Sequence, residues 1–404
     1  MTASCRHCHQ ILNDTFIDLF NAPPSNSFLT LANLREPETY FPLKVMVCSN
    51  CFLVQTVDYL SPQDIFKDDY AYFSSYSSSW LEHGRQYAAM IEKRLSLGPE
   101  SMVLEVACND GGLLHNFKLM NIPCLGVEPS KSTATAACAL GLEVVEEFFG
   151  FDLARNLKPA DLIIGNNVLA HVPDINDFVR GLKAALKADG TITLEFPHLL
   201  NLIKYSQFDT IYHEHFSYLS LLTVNRIFKN FALTVYDVEQ LPTHGGSLRI
   251  YAAHEGRQPV SPRVDELIEI EMEAGLNKPD TYRGFEKLAW RIKADLWDFL
   301  LAAKREGKLV AAYGAAAKGN TLLNYAGVRS DLVSYVVDAS PHKQGLYLPQ
   351  SHIPIVSEKH FTTMPPDFVL ILPWNLKEEI NSQLNWLRRT GTRLMTAVPH
   401  LSEI

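Results

Sequence analysis

The sequence contains no apolar run near the roughly 18 residues that a bilayer-spanning helix needs. Its beginning, MTASCRHCHQ, also lacks the apolar centre of a signal peptide. Positively charged residues are fewer than negatively charged ones: the sequence has 36 lysines and arginines and 45 acidic residues, which gives a net charge of −9. This balance argues against non-specific nucleic-acid binding over the whole surface. We therefore expect a cytoplasmic protein that has neither a membrane nor a nucleic acid as its partner.

Cysteine is scarce as well, and four of the seven cysteines lie in two CxxC pairs: Cys5, Cys8, Cys48 and Cys51. Without an export signal, a disulfide framework is not expected. Each short CxxC turn offers two thiolates, and four thiolates complete the tetrahedral shell of Zn(II). We predict a structural zinc site without a catalytic role. The alternative is that the cysteines are free thiols in turns.

Strand-like and helix-like segments alternate from VLEVA to GTITLEFP, which predicts a doubly wound parallel sheet. Residues 262–306 have a strongly helical pattern, and a second α/β unit follows through LVAAYGAAAKGN, SYVVDASP and DFVLILPW. Hydrophobic residues make up 47% of the 404 residues, so the chain is long and apolar enough for two to three domains at roughly 150 residues each. The predicted division is a zinc-binding module at 1–75, a cofactor-binding α/β domain at 76–260 and a C-terminal α/β domain at 261–404.

The GxGxxG fingerprint of dinucleotide-binding folds is absent. The first strand leads instead into NDGG at 109–112, where small residues let a ligand approach the backbone. Glu105 at the strand end would repel a pyrophosphate and attract a sulfonium and an amino group, and Glu128 suits a ribose diol. We therefore predict S-adenosylmethionine rather than NAD as the cofactor. The predicted cofactor contacts are Glu105, Ala107, Asn109, Asp110, Gly111, Glu128, Pro129, Asn166 and Asn167.

The segment IYHEHFSYLS places Tyr212, His213, Glu214 and His215 side by side. In an extended segment the two histidines would share one face, whereas in a loop all these groups could converge. The non-functional interpretation is that this segment is the polar end of a strand. The functional interpretation is a general base with an orienting carboxylate and a phenol donor, which methylation at carbon requires. His171, which follows the fourth strand, is expected near the cofactor.

Several motifs along the chain resemble one known family. They are the paired CxxC module, the NDG turn, NVLAHVPD, YHEHFSY, THGGSLR, AYGAAAKGN and VVDASPHKQGLYLP. Over essentially its full length the chain resembles the nucleotide-sugar C-methyltransferases of branched deoxysugar biosynthesis. The resemblance implies a class I S-adenosylmethionine methyltransferase domain between a zinc-binding module and a second Rossmann-like domain. It also implies methyl transfer to C-3 of an NDP-4-keto-6-deoxyhexose.

The resemblance also implies roles for single residues. His215 matches the family's histidine base, and Tyr212, Glu214 and His171 match its other active-site groups. Two positions depart from the family pattern, because Ala107 and Gln350 stand where glycine is common. Neither departure removes a reacting group, so they put details in question and leave the class unchanged.

The C-terminal unit is expected to hold the nucleotide diphosphate, while the tyrosine-rich segment at 70–80 closes over the site. The predicted substrate contacts are Tyr72, Tyr76, His244, Gly245, Lys318, Asn320, His342 and Lys343. Lys318 has the alternative of being a solvated lysine at a helix start. The rival functions are an NAD-linked nucleotide-sugar-modifying enzyme and a non-catalytic nucleotide-binding protein. We expect a monomer or a weak oligomer.

Overall fold

The computed structural model describes residues 3–59 and 73–404 of the chain. In these residues the strands form three sheets, of four, seven and six strands. None of the helices in the described part has the length and apolar composition that crossing a membrane would require.

The first sheet is antiparallel and has the order β1-β2-β3-β9. Its strands are β1 (Asp14–Ala22), β2 (Phe41–Val47), β3 (Val54–Thr56) and β9 (Ser217–Tyr218). The alternating segment FPLKVMV forms β2, as its pattern predicts. The fourth strand does not come from the N-terminal module, because β9 directly follows the YHEH segment and pairs with β3.

The second sheet has the order β10-β11-β8-β7-β4-β5-β6, in which β11 runs antiparallel to both of its neighbours. The strands are β4 (Val103–Val106), β5 (Cys124–Val127), β6 (Glu143–Val145), β7 (Ala160–Asn166), β8 (Leu186–Pro197), β10 (Leu233–Leu241) and β11 (Ser247–His254). This is the class I S-adenosylmethionine methyltransferase fold, and the predicted doubly wound sheet is confirmed. The chain leaves β4 on one side and returns to β7 on the other, so their carboxyl ends open a crevice.

The third sheet has the order β14-β13-β12-β15-β16-β17 and is parallel except for the last pair. Its strands are β12 (Val310–Tyr313), β13 (Val336–Val337), β14 (Ile355–Val356), β15 (Phe368–Ile371), β16 (Arg393–Thr396) and β17 (Ser402–Glu403). The strand order reverses between β12 and β15, which makes a second crevice at their carboxyl ends. The predicted second α/β unit is confirmed.

Helices cover both α/β sheets. They are α1 (Ser78–Leu95), α2 (Leu114–Leu119), α3 (Lys131–Ala139), α4 (Phe151–Ala154), α5 (Ile175–Ala185), α6 (Leu199–Lys204), α7 (Leu221–Asn230), α8 (Pro262–Glu273), α9 (Pro279–Tyr282), α10 (Phe285–Arg305), α11 (Ala317–Ala326), α12 (His360–Thr363) and α13 (Lys377–Gln383).

One helix is shorter than its pattern indicates. The sequence predicts a helix from Ile175 to Gly190, but α5 ends at Ala185 and β8 begins at once. The reason is strand pairing, since Leu186 already lies opposite Ala160 of β7. A Cβ at Gly190 would lie 2.9 Å from the Ala160 carbonyl oxygen, so glycine permits this close approach.

The apolar cores cross the proposed domain boundaries. Phe16 of β1 stacks on Phe285 of α10, with ring centroids 4.4 Å apart. Val264 and Leu267 of α8 are buried in the core of the second sheet, although 261 is the proposed start of the C-terminal domain. The three parts therefore pack as one body, and the boundaries remain a proposal.

The paired cysteines meet at one end of the first sheet. The Sγ atoms of Cys5 and Cys51 are 3.5 Å apart, those of Cys8 and Cys48 are 3.4 Å apart, and all four lie within 4.8 Å of one another. A tetrahedral ion with Zn–S bonds of about 2.3 Å places its sulfurs about 3.8 Å apart. The donor set and its spacing therefore fit structural zinc.

We predict that Cys51→Ser lowers bound zinc well below one ion per chain and unfolds the N-terminal module, because metal binding and folding are coupled in such sites. Since β3 begins just after Cys51 and pairs with β9, the thermal unfolding transition of the whole chain should move to lower temperature. Metal analysis and calorimetry measure both effects. The control is Cys138→Ser, which changes an exposed thiol away from the cluster. A zinc-free wild-type protein purified without chelator would refute the site.

Candidate active site

A cavity of about 390 Å³ opens at the carboxyl ends of β4, β5 and β7. Seven of the nine predicted cofactor residues line it: Glu105, Ala107, Asn109, Glu128, Pro129, Asn166 and Asn167. The other two lie just behind the wall. Asp110 binds the segment at 74–75, and Gly111 packs against α3, where a Cβ would meet Ala137.

The turn at residues 107–112, which follows β4 and is called the cofactor turn below, contains several residues with left-handed backbone angles. Ala107, Asn109 and Gly111 all have positive φ angles, of 56°, 52° and 78°. Left-handed conformations are strained for a residue with a Cβ, and such strain collects at ligand sites. The left-handed φ of Ala107 gives a physical reason for the family's preference for glycine there.

Glu128 is held by two backbone donors. Its Oε2 accepts from the Asn109 N–H and its Oε1 from the Ser130 N–H, each at 3.0 Å. Burial raises the pKa of this carboxyl, and the two N–H groups oppose that shift. Each carboxylate oxygen has a second lone pair, so Glu128 remains able to accept from a ribose diol.

Glu105 is a buried acid with an unsatisfied oxygen. Only 5% of the residue is exposed, and its Oε2 has no hydrogen-bond partner among the described residues. Burial raises the pKa of Glu105 well above its usual range, and the charges of Asp110 and Glu128 add to the shift. A cation bound in the cavity would relieve this cost. The site therefore fits the positively charged methionine part of S-adenosylmethionine.

A short segment ahead of α1 closes one side of the cavity. The Ser74 hydroxyl donates to Asp110 at 2.6 Å, and the Ser74 N–H donates to the Asn109 side chain at 2.9 Å. The Tyr76 hydroxyl lies 3.0 Å from Nε2 of His342 in the C-terminal domain. The segment thus connects the cofactor turn with the second α/β unit. Tyr72 lies outside the described residues.

The predicted catalytic groups converge in a turn. The rings of Tyr212 and His215 are 4.0 Å apart, and those of His171 and His215 are 4.6 Å apart. His171 also lines the cofactor cavity, so the cluster borders the cofactor site. His213 points elsewhere, because its Nε2 lies 3.3 Å from the Phe41 carbonyl in the N-terminal module.

The tautomer of His215 follows from one contact. Its Nδ1 is 2.9 Å from the Thr210 carbonyl oxygen, which can only accept, so Nδ1 carries the hydrogen. Nε2 is then left with a lone pair. Burial lowers the pKa of His215 well below its usual range, and neighbouring groups, His171 first, lower it further. A neutral imidazole with a basic Nε2 is the form that general-base catalysis needs.

Glu214 lies next to His215 and contacts the N-terminal module. Its Oε1 accepts from the Asn26 side-chain amide at 2.6 Å, and the Thr210 carbonyl orients the imidazole of His215. Asn26 belongs to the loop NAPPSNSF between β1 and β2. The N-terminal module therefore reaches the catalytic segment directly.

His244 and Gly245 face the cluster from the turn before β11. His244 has a left-handed φ of 55°, and its Nε2 is 3.3 Å from the Asn167 amide nitrogen. Burial lowers the pKa of His244 to about 4, and the charge of Lys318 lowers it as well. A Cβ at Gly245 would overlap the Trp374 ring, so this turn packs against the C-terminal domain.

The predicted substrate residues of the C-terminal domain separate into two groups. Lys318 lies at the start of α11 and donates to Asn375 at 2.6 Å, and Lys343 donates to the Ala315 carbonyl at 2.9 Å. Both border the crevice of the third sheet. Asn320 is fully buried and donates to the Ser25 carbonyl at 2.6 Å, so it joins α11 to the N-terminal module instead of facing the crevice.

Sequence reasoning missed four groups: Asn26, Asp209, Thr210 and Trp374. Trp374 is the third residue after β15, and its position after a parallel strand was a usable signal. The other three act through contacts between distant segments, and nothing in their local sequence marks them.

Family models match three successive parts of the chain. They are a zinc binding domain over residues 5–66, a methyltransferase domain over 80–238 and a C-methyltransferase C-terminal domain over 242–399. The C-methyltransferase NovU of Streptomyces niveus is 32% identical over 403 residues, covering 98% of this chain and 95% of that protein. The chain belongs to this C-methyltransferase family. The enzyme is thus an S-adenosylmethionine-dependent C-methyltransferase with a zinc-binding domain, as the sequence predicts.

Solved structures overlap part of the chain. The magnesium protoporphyrin IX methyltransferase of Synechocystis is 14% identical, with a TM-score of 0.35, and covers 44% of this chain and 88% of its own. The PH0226 protein of Pyrococcus horikoshii is 17% identical, with a TM-score of 0.39, and covers 47% of this chain and all of its own.

We predict that affinity for S-adenosylmethionine rises with pH below the raised pKa of Glu105, as long as the ligand's amino group stays protonated. The bound cation lowers the raised pKa of Glu105 and releases a proton, so affinity grows up to about tenfold per pH unit below that pKa. Titration calorimetry in two buffers of different ionisation enthalpy measures the released proton. Glu105→Gln should bind more weakly and release none, whereas Glu143→Gln on exposed β6 should match wild type. Equal proton release in Glu105→Gln would contradict the assignment.

Proposed function

We propose that the enzyme methylates C-3 of an NDP-4-keto-6-deoxyhexose, with His215 as the general base. The observation that carries this proposal is the free lone pair on Nε2 of a buried His215 whose Nδ1–H is held by the Thr210 carbonyl. A carbon nucleophile must first lose a proton, and an imidazole of this kind is suited to take it. The membership in a C-methyltransferase family supports methylation at carbon.

The chemistry follows from the groups around the base. When bound, S-adenosylmethionine supplies an electrophilic methyl group. A ketone at C-4 acidifies the proton on C-3, and Nε2 of His215 takes it up. The Tyr212 phenol, assisted by His171, hydrogen-bonds the oxygen on which negative charge develops. Burial of the His215 ring limits the access of water to the carbanion equivalent.

The nucleotide part of the substrate is assigned to the crevice between β12 and β15. Ligands of open α/β sheets bind where the strand order reverses. Trp374, which follows β15 at this crevice, donates to Asp209 just before the catalytic segment. Lys343, with His342 beside it, supplies positive charge at the rim for a diphosphate. The Tyr76 contact to His342 supports a role for the 74–76 segment in closing over this substrate.

We predict that His215→Asn lowers kcat by about 10²–10⁴-fold, the range for loss of a general base. Asparagine keeps a hydrogen bond to Thr210 but cannot accept a proton, so affinity for S-adenosylmethionine should stay unchanged. The matched control is His213→Asn, which removes a neighbouring buried histidine that points into the N-terminal module. The assay combines labelled methyl donor with a panel of NDP-4-keto sugars.

Two results would count against the proposal. If wild-type enzyme transferred no methyl group to any 4-keto sugar of the panel, the substrate class would be wrong. If His215→Asn retained wild-type turnover, His215 would not be the base, and His171 would be the next candidate.

With S-adenosylmethionine saturating, the acid limb of the wild-type kcat/KM profile for the sugar should lie below about pH 6.5, the ordinary pKa of imidazole. Burial disfavours the protonated form of His215, so the base stays neutral and active into mildly acidic solution. The rate is lost only when pH falls through the lowered pKa. An acid limb above pH 7 would contradict a buried neutral base.

A further inference from the structure

We propose that Lys318 is a further catalytic residue, whose ammonium group binds the oxygen anion that forms at C-4 when His215 removes the C-3 proton. This inference rests on the proposed function and deepens it. It moves Lys318 from the diphosphate, where its place in the turn after β12 first put it, to the reacting carbonyl.

The placement follows from one face of α11. The Thr321 hydroxyl donates to the Ile211 carbonyl at 2.8 Å, so this face of the helix lies against the catalytic segment. Side chains three residues apart share a helix face. Lys318 is therefore directed to the same segment, one turn before Thr321, towards the residues that surround Tyr212.

The ammonium group of Lys318 lies near one buried carboxyl, that of Asp209. Burial lowers the pKa of Lys318, and the charge of Asp209 opposes that shift. The described hydrogen-bond partner of Lys318 is the Asn375 side-chain oxygen at 2.6 Å, which uses one of three N–H donors. Trp374 presents its ring face to Nζ at 4.8 Å and donates its Nε1–H to Asp209 at 2.7 Å. The indole binds Oδ2 of Asp209, whose Oδ1 has no partner among the described residues, and two N–H donors of Lys318 remain for an anion.

The three histidines around the site are neutral, and burial raises the pKa of the Asp209 carboxyl to about 6. Burial lowers the pKa of His171 and His244 to about 4, and it lowers that of His215 as well. Lys318 is therefore the cation of this cluster within the described residues. A fixed charge in a site that excludes water stabilises a developing oxyanion strongly.

The proposed step balances without a proton from the lysine. The C-3 proton moves to Nε2 of His215, which becomes an imidazolium. The C–H electron pair forms the C-3–C-4 double bond, and the carbonyl π pair moves to the oxygen beside Lys318. The oxygen pair then re-forms the C-4 carbonyl while the C-3–C-4 π pair forms the bond to the methyl group. The methyl–sulfur pair would leave with S-adenosylhomocysteine, and the imidazolium returns its proton to solvent.

The test is Lys318→Met, which keeps the length of the side chain and removes its charge. We expect kcat and the rate of C-3 proton exchange in deuterated solvent to fall about 10²–10³-fold, the effect of losing one oxyanion donor. Binding of thymidine and uridine diphosphates should stay within about twofold of wild type, because this assignment leaves the diphosphate to other groups. The acid limb of the pH profile should move upward, since the charge of Lys318 lowers the pKa of His215. Lys318→Arg should recover part of the rate.

The matched control is Lys293→Met. Lys293 also lies 4.8 Å from the centroid of an aromatic ring, that of Tyr325, and donates to a backbone carbonyl of the same domain, but it is on α10 outside the catalytic cluster. It should leave all four measurements unchanged.

The outcomes separate the possible assignments. Wild-type kcat in Lys318→Met would overturn the inference, and so would weaker nucleoside diphosphate binding at unchanged kcat, which would return Lys318 to the phosphates. If wild-type enzyme neither exchanges nor methylates any 4-keto sugar, the proposed function itself fails, and this result is visible before any variant is made.

Discussion

The hydrogen bond from Nδ1 of His215 to the Thr210 carbonyl is the contact on which the active site depends. It decides which imidazole nitrogen is basic and fixes the ring beside Tyr212 and His171. A carbonyl holds this tautomer without adding negative charge, whereas a carboxylate partner would raise the pKa of the ring. The buried imidazole therefore stays neutral.

All three parts of the chain support this contact. Trp374 of the C-terminal domain holds Asp209, the residue before Thr210, and Asn26 of the N-terminal module holds Glu214, the residue before His215. The methyltransferase sheet contributes the cofactor turn and His171. The catalytic turn, residues 209–215, is thus held by hydrogen bonds from both the N-terminal module and the C-terminal domain, and it borders the cofactor cavity.

The sequence could predict what is local and could not predict what depends on docking. Glu105, Asn109 and Glu128 are recognisable because a strand–turn–helix unit places them together whatever surrounds it. The cysteine cluster is recognisable because zinc demands a known donor set. The contact between Glu214 and Asn26 could not be predicted, since it depends on how a distant loop packs. The early end of α5 was missed for the same reason, because pairing with β7 overrides helical periodicity.

The pairing of β3 with β9 limits how enzymes of this architecture can be recombined. A methyltransferase domain cut out after residue 76 would leave β9 with an open hydrogen-bonding edge and would separate Glu214 from Asn26. Exposed strand edges invite pairing with other chains. A chimera designed to change substrate preference should therefore take the N-terminal module and the catalytic turn from the same parent enzyme.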